Sequence, residues 1–141
     1  MKIILNTDGG ARGNPGIAGA GAVIFDEAGQ IIATAAKPLG TATNNEAEYQ
    51  AVILGLELVT KTFGGEKMKE LSVELRLDSE LIARQLEGKY KVKEERLRAY
   101  HTQIQKIRQD HFPRLEISEI RREQNKKADE LANEAMDEGR G

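Results

Sequence analysis

The sequence predicts an α/β domain (α+β in some classifications) in which a five-stranded mixed sheet is flanked by helices. Three strand-like segments follow one another with only short turns between them, which is typical of an antiparallel meander. Two later strand-like segments are separated by helical segments, which is typical of parallel crossover connections. The 141 residues suit one domain, residues 1–141, with one core.

The first half of the chain contains the predicted meander. Lys2–Asp8 is rich in Ile and Leu and indicates a strand. A glycine-dense stretch follows, in which Asn14-Pro15 marks a turn. Ala22–Asp26 and Ile31–Ala36 are the next two strands, and Ala28-Gly29 between them indicates a hairpin loop of about 3–5 residues.

The rest of the chain alternates between helices and strands. Thr43 and Glu46 have the spacing of a capping box, so a long helix should begin at Thr43 and end near Thr62, before two glycines. Leu71–Leu77 alternates apolar and polar residues, which indicates a half-buried strand. After it we expect a short helix capped by Ser79 and ended by Gly88, a helix over Glu94–Asp110, a strand over Leu115–Ile120 and a helix over Asn125–Asp137.

Composition excludes several functional classes. The chain has no cysteine, so disulfides, thiolate metal sites and cysteine nucleophiles are excluded, and a cytoplasmic protein is expected. No apolar run is long enough to cross a membrane. The net charge of −2 argues against nucleic-acid binding by the whole surface. Basic residues are nevertheless concentrated between Arg84 and Arg108, as either a solvated helix face or a binding surface.

Four acidic residues lie where predicted elements begin or end. Asp8 and Asp78 end predicted strands, and Glu48 and Asp129 lie in the first turns of predicted helices. Converging carboxylates repel one another unless cations neutralise them, and Mg²⁺ takes oxygen ligands. A metal-dependent phosphoryl-transfer site is therefore the first hypothesis.

Glu48 is the most informative of the four. At about 100° per residue it falls in the middle of the apolar arc of the long helix. A carboxylate facing the core must be paired, coordinated or protonated, so both a metal ligand and a partner for a buried Lys or Arg stay open. Asp8, Asp78 and Asp129 each have an ordinary explanation as turn or helix-start residues, so the hypothesis depends on all four together.

Four motifs surround these acids, and each is common when it occurs alone. They are Thr7-Asp8-Gly9-Gly10 followed by Gly13-Asn14-Pro15-Gly16, then Thr43-Asn44-Asn45-Glu46-Ala47-Glu48, then Leu77-Asp78-Ser79, and finally Asn125-Lys126-Lys127-Ala128-Asp129-Glu130-Leu131-Ala132. In this order and at these separations they are highly specific. Together they resemble the type 1 ribonuclease H family, over nearly the whole chain, and the resemblance implies the ribonuclease H-like fold.

The resemblance also implies an activity and a metal cofactor. It implies an endoribonuclease that hydrolyses the RNA strand of RNA–DNA hybrids with two Mg²⁺ ions, for which Mn²⁺ can substitute, and leaves 5′-phosphate and 3′-hydroxyl ends. Asp8 would bridge the two metals, and Asp129 would hold the metal that activates water. Glu48 and Asp78 would hold the metal at the leaving 3′-oxygen. The expected partner is the hybrid duplex, with double-stranded RNA as a second candidate, and we expect a monomer.

Substrate-binding residues follow from the same resemblance. Family residues that match Asn14, Asn44, Asn45 and Glu48 face the RNA ribose or its groove. The side chains suit this, because the amides both donate and accept hydrogen bonds and Glu48 accepts them. Gly9 belongs to the same predicted set. Thr43 matches a residue that helps to hold a DNA-strand phosphate, although helix capping alone explains it.

The chain departs from many relatives in two places. The loop before the last helix lacks the usual histidine, and we expect Arg122 to contact a phosphate there instead. The chain has no Trp and little room for the long basic protrusion that some relatives carry. A reduced basic grip is expected from Lys89, Lys91, Lys93, Arg96 and Arg98.

Three alternatives stay open at this point. The first is a metal nuclease of the same fold that acts on double-stranded RNA or on DNA, and the second is a hybrid-binding module without catalysis. Because all four acids are present, the second is disfavoured. The third is a structural protein whose acids only cap helices.

Overall fold

The computed structural model describes residues 1–139. Its strands are Lys2–Gly13 (β1), Gly16–Phe25 (β2), Ile31–Ala42 (β3), Ser72–Leu77 (β4) and Leu115–Glu119 (β5). Its helices are Asn44–Phe63 (α1), Lys67–Glu70 (α2), Glu80–Leu86 (α3), Glu95–His111 (α4) and Lys126–Gly139 (α5). A single 3₁₀ turn at Arg122–Gln124 precedes α5. The predicted order of strands and helices is confirmed, and the short helix α2 is an addition that the sequence pattern did not indicate.

The five strands form one mixed sheet in the order β3-β2-β1-β4-β5. The β1–β2 and β2–β3 pairs are antiparallel, whereas the β1–β4 and β4–β5 pairs are parallel. This confirms the predicted meander followed by helical crossovers. No helix within residues 1–139 combines the length and the apolar composition needed to cross a membrane.

Helices α1 and α5 cover opposite faces of β1. A Cβ atom at Gly9 would meet α1 at Ala47, whereas a Cβ atom at Gly10 would point to Met136 of α5. Consecutive residues of a strand face opposite sides of a sheet, so these two contacts place α1 and α5 on the two faces. The main core lies under α1, where buried Leu5 of β1 packs with Leu56 and the other apolar residues of the helix.

The glycine-dense stretch is strand rather than loop, which corrects the boundaries predicted for the first two strands. A Cβ atom at Gly21 would lie 2.4 Å from the Ala128 carbonyl oxygen, and one at Gly19 would lie 2.6 Å from that of Ala132. Glycine at these positions allows α5 to lie directly on β2. The predicted turn at Asn14-Pro15 is confirmed, but the glycines on either side of it belong to strands, and close packing of a helix on the sheet is the reason for Gly19 and Gly21.

Asp8 does not end the first strand as predicted, because β1 continues beside β2 to Gly13. Its pairing with β4 does end early, at the Asn6–Arg76 pair, and β4 itself ends at Leu77. The two parallel neighbours then separate and leave a crevice at their carboxyl ends. Crevices of this kind are where open α/β sheets bind ligands.

Candidate active site

Three of the predicted acids meet in this crevice. Asp8, Glu48 and Asp78 each offer a carboxylate oxygen, and these oxygens all lie within 4.8 Å of one another. Asp8 and Glu48 are each only 8% exposed, whereas Asp78 is half-buried. Asp129 lies on the exposed rim and lines the same cleft. Folding therefore brings together acids that lie far apart in the sequence.

Local capping positions two of the helices at the site. The Thr43 hydroxyl accepts a hydrogen bond from the Glu46 N–H at 3.1 Å, and the Glu46 carboxylate accepts one from the Thr43 N–H at 3.0 Å. The predicted capping box is thus confirmed, and it starts α1 so that Glu48 follows in its first turns. The predicted Ser79 cap is also confirmed, since its hydroxyl accepts from the Ile82 N–H at 3.3 Å and starts α3 directly after Asp78.

Gly9 sets the distance between α1 and β1. A Cβ atom at this position would lie 2.1 Å from the Ala47 carbonyl oxygen and 2.7 Å from the Glu48 nitrogen. Only glycine permits such an approach, because backbone atoms of a packed helix cannot rotate away as a side chain can. The helix backbone therefore passes close enough to β1 for Glu48 to reach the Asp8 carboxylate.

Burial and mutual repulsion disfavour the ionised forms of Asp8 and Glu48. Burial raises the pKa of Asp8 to about 8, with further contributions from the charge of Asp78 and from a hydrogen bond and charge of Asp129. The pKa of Glu48 is also raised well above its ordinary value, mainly by burial and then by the charges of Asp8 and Asp78. The Gly9 backbone N–H acts in the opposite direction on the pKa of Glu48 without reversing the shift. Neutralisation by cations would relieve this repulsion.

Glu48 is not the partner of a buried base. Within residues 1–139, no lysine or arginine nitrogen lies within ion-pair distance of its carboxylate. Its buried Oε2 atom also has no hydrogen-bond partner in the described part of the chain. A buried, unpartnered carboxylate oxygen among other carboxylates fits a hard divalent cation, whose preferred ligands are oxygens.

Asn125 is a site residue that sequence reasoning missed, although it opens the fourth motif. Its buried side-chain amide donates to the Thr7 carbonyl at 2.9 Å and to Asp78 Oδ2 at 3.0 Å. Its backbone carbonyl accepts from the Asp129 N–H at 3.1 Å. Asn125 therefore links β1, β4 and α5 at the point where each contributes an acid. It precedes α5, which begins one residue later than predicted.

The surrounding cleft has a volume of about 500 Å³. Of the predicted substrate-binding residues, Gly9, Asn44, Asn45 and Arg122 line it. Further lining residues, which were not among the predicted site residues, are Gly10, Ala11, Arg12, Ser79, Asn133 and Met136.

Asn14 and Thr43 are not among the residues that line the cleft. Asn14 Oδ1 accepts a hydrogen bond from the Asn44 N–H at 3.0 Å, and Asn44 Oδ1 accepts one from the Ala11 N–H at 2.9 Å. These two bonds tie the tip of the β1–β2 hairpin to the start of α1. Asn14, Asn44 and Thr43 thus have structural roles here, and their contacts with a nucleic acid stay predictions.

Comparison with known proteins agrees with this geometry. A family model described as "Reverse transcriptase-like" matches residues 6–135. LC11-RNase H1, isolated from compost by a metagenomic approach, has a solved structure that is 48% identical, covers 99% of each chain and superposes with a TM-score of 0.94. The chain belongs to the type 1 ribonuclease H family. The predicted ribonuclease H-like fold is thereby confirmed.

Other ribonuclease H relatives are longer than this chain. Bifunctional protein Rv2228c of Mycobacterium tuberculosis is 38% identical over 138 residues, which is 97% of this chain and 36% of that protein. Ribonuclease HI of Halobacterium salinarum is 38% identical over 131 residues, or 93% of this chain and 62% of that protein. The chain spans about a third of the mycobacterial relative. LC11-RNase H1 has also been solved in complex with an RNA/DNA hybrid.

One residue of the basic segment, Arg96, lies beside the start of α1. The loop between α3 and α4 covers residues 87–94 and carries exposed lysines. Arg96, in the first turn of α4, is 81% exposed and lies 4.0 Å from the Glu46 carboxylate. Arg96 is thus close to the Thr43 cap, and a nucleic-acid role of the basic segment stays a prediction.

Proposed function

We propose that the chain is a metal-dependent endoribonuclease that hydrolyses the RNA strand of RNA–DNA hybrids. The observation that carries the proposal is the buried Glu48 carboxylate, which lies with Asp8 and Asp78 and lacks a neutralising base within residues 1–139. Such a cluster suits divalent cations that contact phosphate oxygens. Family membership and the hybrid complex of LC11-RNase H1 support the substrate class.

The four acids would hold two Mg²⁺ ions, for which Mn²⁺ can substitute. In the proposal Asp8 is shared, Glu48 and Asp78 hold one ion, and Asp129 on the rim helps to hold the other. When bound, two such ions stabilise both the attacking and the leaving oxygen of an in-line displacement. The raised pKa values of Asp8 and Glu48 mean that loading the site releases protons, so metal affinity should rise with pH.

Recognition of the RNA strand is assigned to the start of α1 and to the turn before α5. Asn45 lines the cleft one turn before Glu48, and its amide can both donate to and accept from a 2′-hydroxyl. Arg122 lines the cleft beside Asp78, where its guanidinium can bind a phosphate in place of the missing histidine. Replacing Arg122 with Ala should lower turnover or hybrid affinity, and unchanged values for both would remove this role.

The DNA strand is assigned to the basic segment and to Thr43. The loop after α3 carries exposed lysines at 89, 91 and 93, and Arg96 at the start of α4 lies 4.0 Å from the Glu46 carboxylate at the start of α1. Each lost phosphate contact should lower the log–log dependence of affinity on salt by roughly 0.9. Single replacements along this segment, measured at several salt concentrations, test the assignment.

The proposal is tested with strand-labelled duplexes. Hybrid, double-stranded RNA and double-stranded DNA are incubated in parallel with Mg²⁺, and the RNA products are examined for 5′-phosphate and 3′-hydroxyl ends. We expect cleavage of the hybrid RNA strand, and its abolition by Glu48→Gln but not by Glu57→Gln, which removes an exposed acid from the same helix. Preferential cleavage of double-stranded RNA or DNA would support the other nuclease class. Hybrid binding without cleavage would support a binding module.

Two further parts of the proposal concern the protein's state. We propose that it acts as a monomer, because each acid of the cleft comes from one chain; light scattering at assay concentrations checks this. The cytoplasmic location expected from the absence of cysteine stays a prediction.

A further inference from the structure

Arg12 lies on the same face of β1 as Asp8. Residues at i, i+2 and i+4 of a strand share one face, so Asp8, Gly10 and Arg12 form a row that faces α5. At about 3.3 Å per residue the ends of this row are roughly 13 Å apart. Gly10 in the middle has no side chain, and a Cβ atom added there would contact Met136 Cε at 3.7 Å. Asp8, Gly10 and Arg12 all line the same cleft, and the part of it between Asp8 and Arg12 is called the trough below.

A matching row lies opposite on α5. Asp129, Asn133 and Asp137 are four residues apart and therefore share one side of the helix. Arg12 Nη1 contacts Asp137 Oδ1 at 2.6 Å, and Arg12 Nη2 lies 3.5 Å from both the carbonyl oxygen and Oδ1 of Asn133. Asn133 in turn donates to the Asp129 carbonyl at 2.9 Å. The trough thus has acids at one end and a guanidinium with an amide at the other.

The distribution of charge in the cleft favours phosphate binding at the Arg12 end of the trough. Four carboxylates line the cleft, and the arginines that line it are Arg12 and Arg122. A polyanion can approach the acids only where positive groups offset them, and a planar guanidinium can bind phosphate through two parallel hydrogen bonds. The Asp137 carboxylate is 66% exposed, and exposed ion pairs of this kind contribute little, so a phosphate can replace it at small cost.

We propose that Arg12, assisted by Asn133, binds a backbone phosphate of the nucleic acid that neighbours the cleaved one, and that Asp137 acts as the counter-ion of Arg12 in the free protein. This rests on the proposed nuclease function and extends it to the length of backbone that the cleft engages. Because Arg12 lies roughly 13 Å from Asp8 along β1, the phosphate that it binds is a neighbour of the phosphate that is cleaved. Arg12 is then a positioning residue that acts on binding rather than on the chemical step.

Affinity for a hybrid, measured at several salt concentrations in an Asp8→Asn background that prevents cleavage, tests the proposal. Arg12→Ala should raise Kd roughly tenfold, which is the size expected for a lost hydrogen bond to a charged group. It should also lower the slope of log affinity against log salt concentration by about 0.9. Arg12→Lys should keep the slope, because it keeps the charge. Arg114→Ala, which removes an exposed arginine at the opposite end of the sheet, should change neither value.

Asp137→Asn provides a test in the opposite direction. It should tighten binding, because it removes the carboxylate that competes with phosphate, whereas Glu138→Gln removes the same charge one residue away and should have a smaller effect. The gain from Asp137→Asn should vanish when Arg12 is already Ala. In proteins with Asp8 intact, Arg12→Ala should raise KM with little change in kcat.

The results separate this inference from the nuclease proposal. If the wild-type chain cuts the hybrid but Arg12→Ala leaves Kd and salt slope unchanged, only the Arg12 site is wrong. The same holds if Arg12→Ala lowers thermal stability alone, since that outcome describes a tie between β1 and α5. If the wild-type chain neither binds nor cuts the hybrid, the nuclease proposal is wrong as well.

Discussion

Replacing Gly9 with Ala should displace α1 and disable the acid cluster. The new Cβ atom would lie 2.1 Å from the Ala47 carbonyl oxygen, whereas ordinary contacts of this kind begin at 3.4 Å. The helix or the strand must therefore move by about 1.3 Å, because the obstructing atoms are backbone. Overpacking of this kind typically costs about 1–3 kcal/mol, which corresponds to a melting temperature lower by roughly 3–10 °C.

The same displacement acts on function through Glu48. Its backbone nitrogen would lie 2.7 Å from the new Cβ atom, so the residue moves with the helix and away from Asp8. A misplacement of about 1 Å can lower the rate of an enzyme roughly a hundredfold. We expect a loss of that order in hybrid cleavage, together with weaker Mg²⁺ binding. Steady-state cleavage, a Mg²⁺ titration and thermal melting measure the three effects.

Gly10→Ala is the matched folding control. It lies on the same strand, and its Cβ atom would meet only Met136 Cε at 3.7 Å, an ordinary contact. Its melting temperature should stay within about 1–2 °C of wild type. If Gly9→Ala melts like wild type and cleaves the hybrid within twofold of it, the close approach of α1 is not what positions Glu48.

Three further predictions concern the same region. First, without metal the free energy of unfolding should fall as pH rises from about 4 to 8, because folded Asp8 and Glu48 keep their protons after the unfolded chain has lost them. Thermal melts in EDTA check this, and Asp8→Asn should reduce the slope; a slope equal to that of wild type contradicts it. Second, Asn125→Ala should cost about 1–3 kcal/mol in a denaturant titration, because the Thr7 carbonyl and Asp78 lose a donor; an unchanged midpoint would show that these bonds do not stabilise the fold. Third, Thr43→Ala should cost about 1 kcal/mol through the lost helix cap, whereas Thr43→Ser should be close to neutral in the same titration. Equal loss in both would point away from capping.

Helical periodicity alone was enough to single out Glu48. Its neighbours along the apolar arc of α1, including Val52 and Leu56, are buried as expected, and Glu48 is buried with them. This worked because the position of a side chain around a helix depends only on local backbone geometry. Periodicity could not choose between a metal ligand and a partner for a buried base, since that depends on what the other elements bring to Glu48.

Glycine was the main source of error in predicting the strands from the sequence. Gly19 and Gly21 suggested irregular chain, yet they lie within β2 because α5 packs against their backbone. Asn125 was missed for a related reason. A buried amide that links Thr7 with Asp78 has no periodic pattern to mark it, and its partners lie 118 and 47 residues away in the chain.

The sequence by itself determined the types and order of the strands and of the helices other than the short α2. It also determined the helix starts at Thr43 and Ser79, and it singled out the four acids whose motifs resemble a known family. These features depend on capping, periodicity and motif order, which are local or linear properties of the chain. Only the tertiary structure decided that three carboxylates come within 4.8 Å, and that Arg12 faces Asp137 across a trough that opens at Gly10. The physical reason is that these distances depend on how closely α1 and α5 approach the sheet, and that approach is set by packing between residues far apart in the chain.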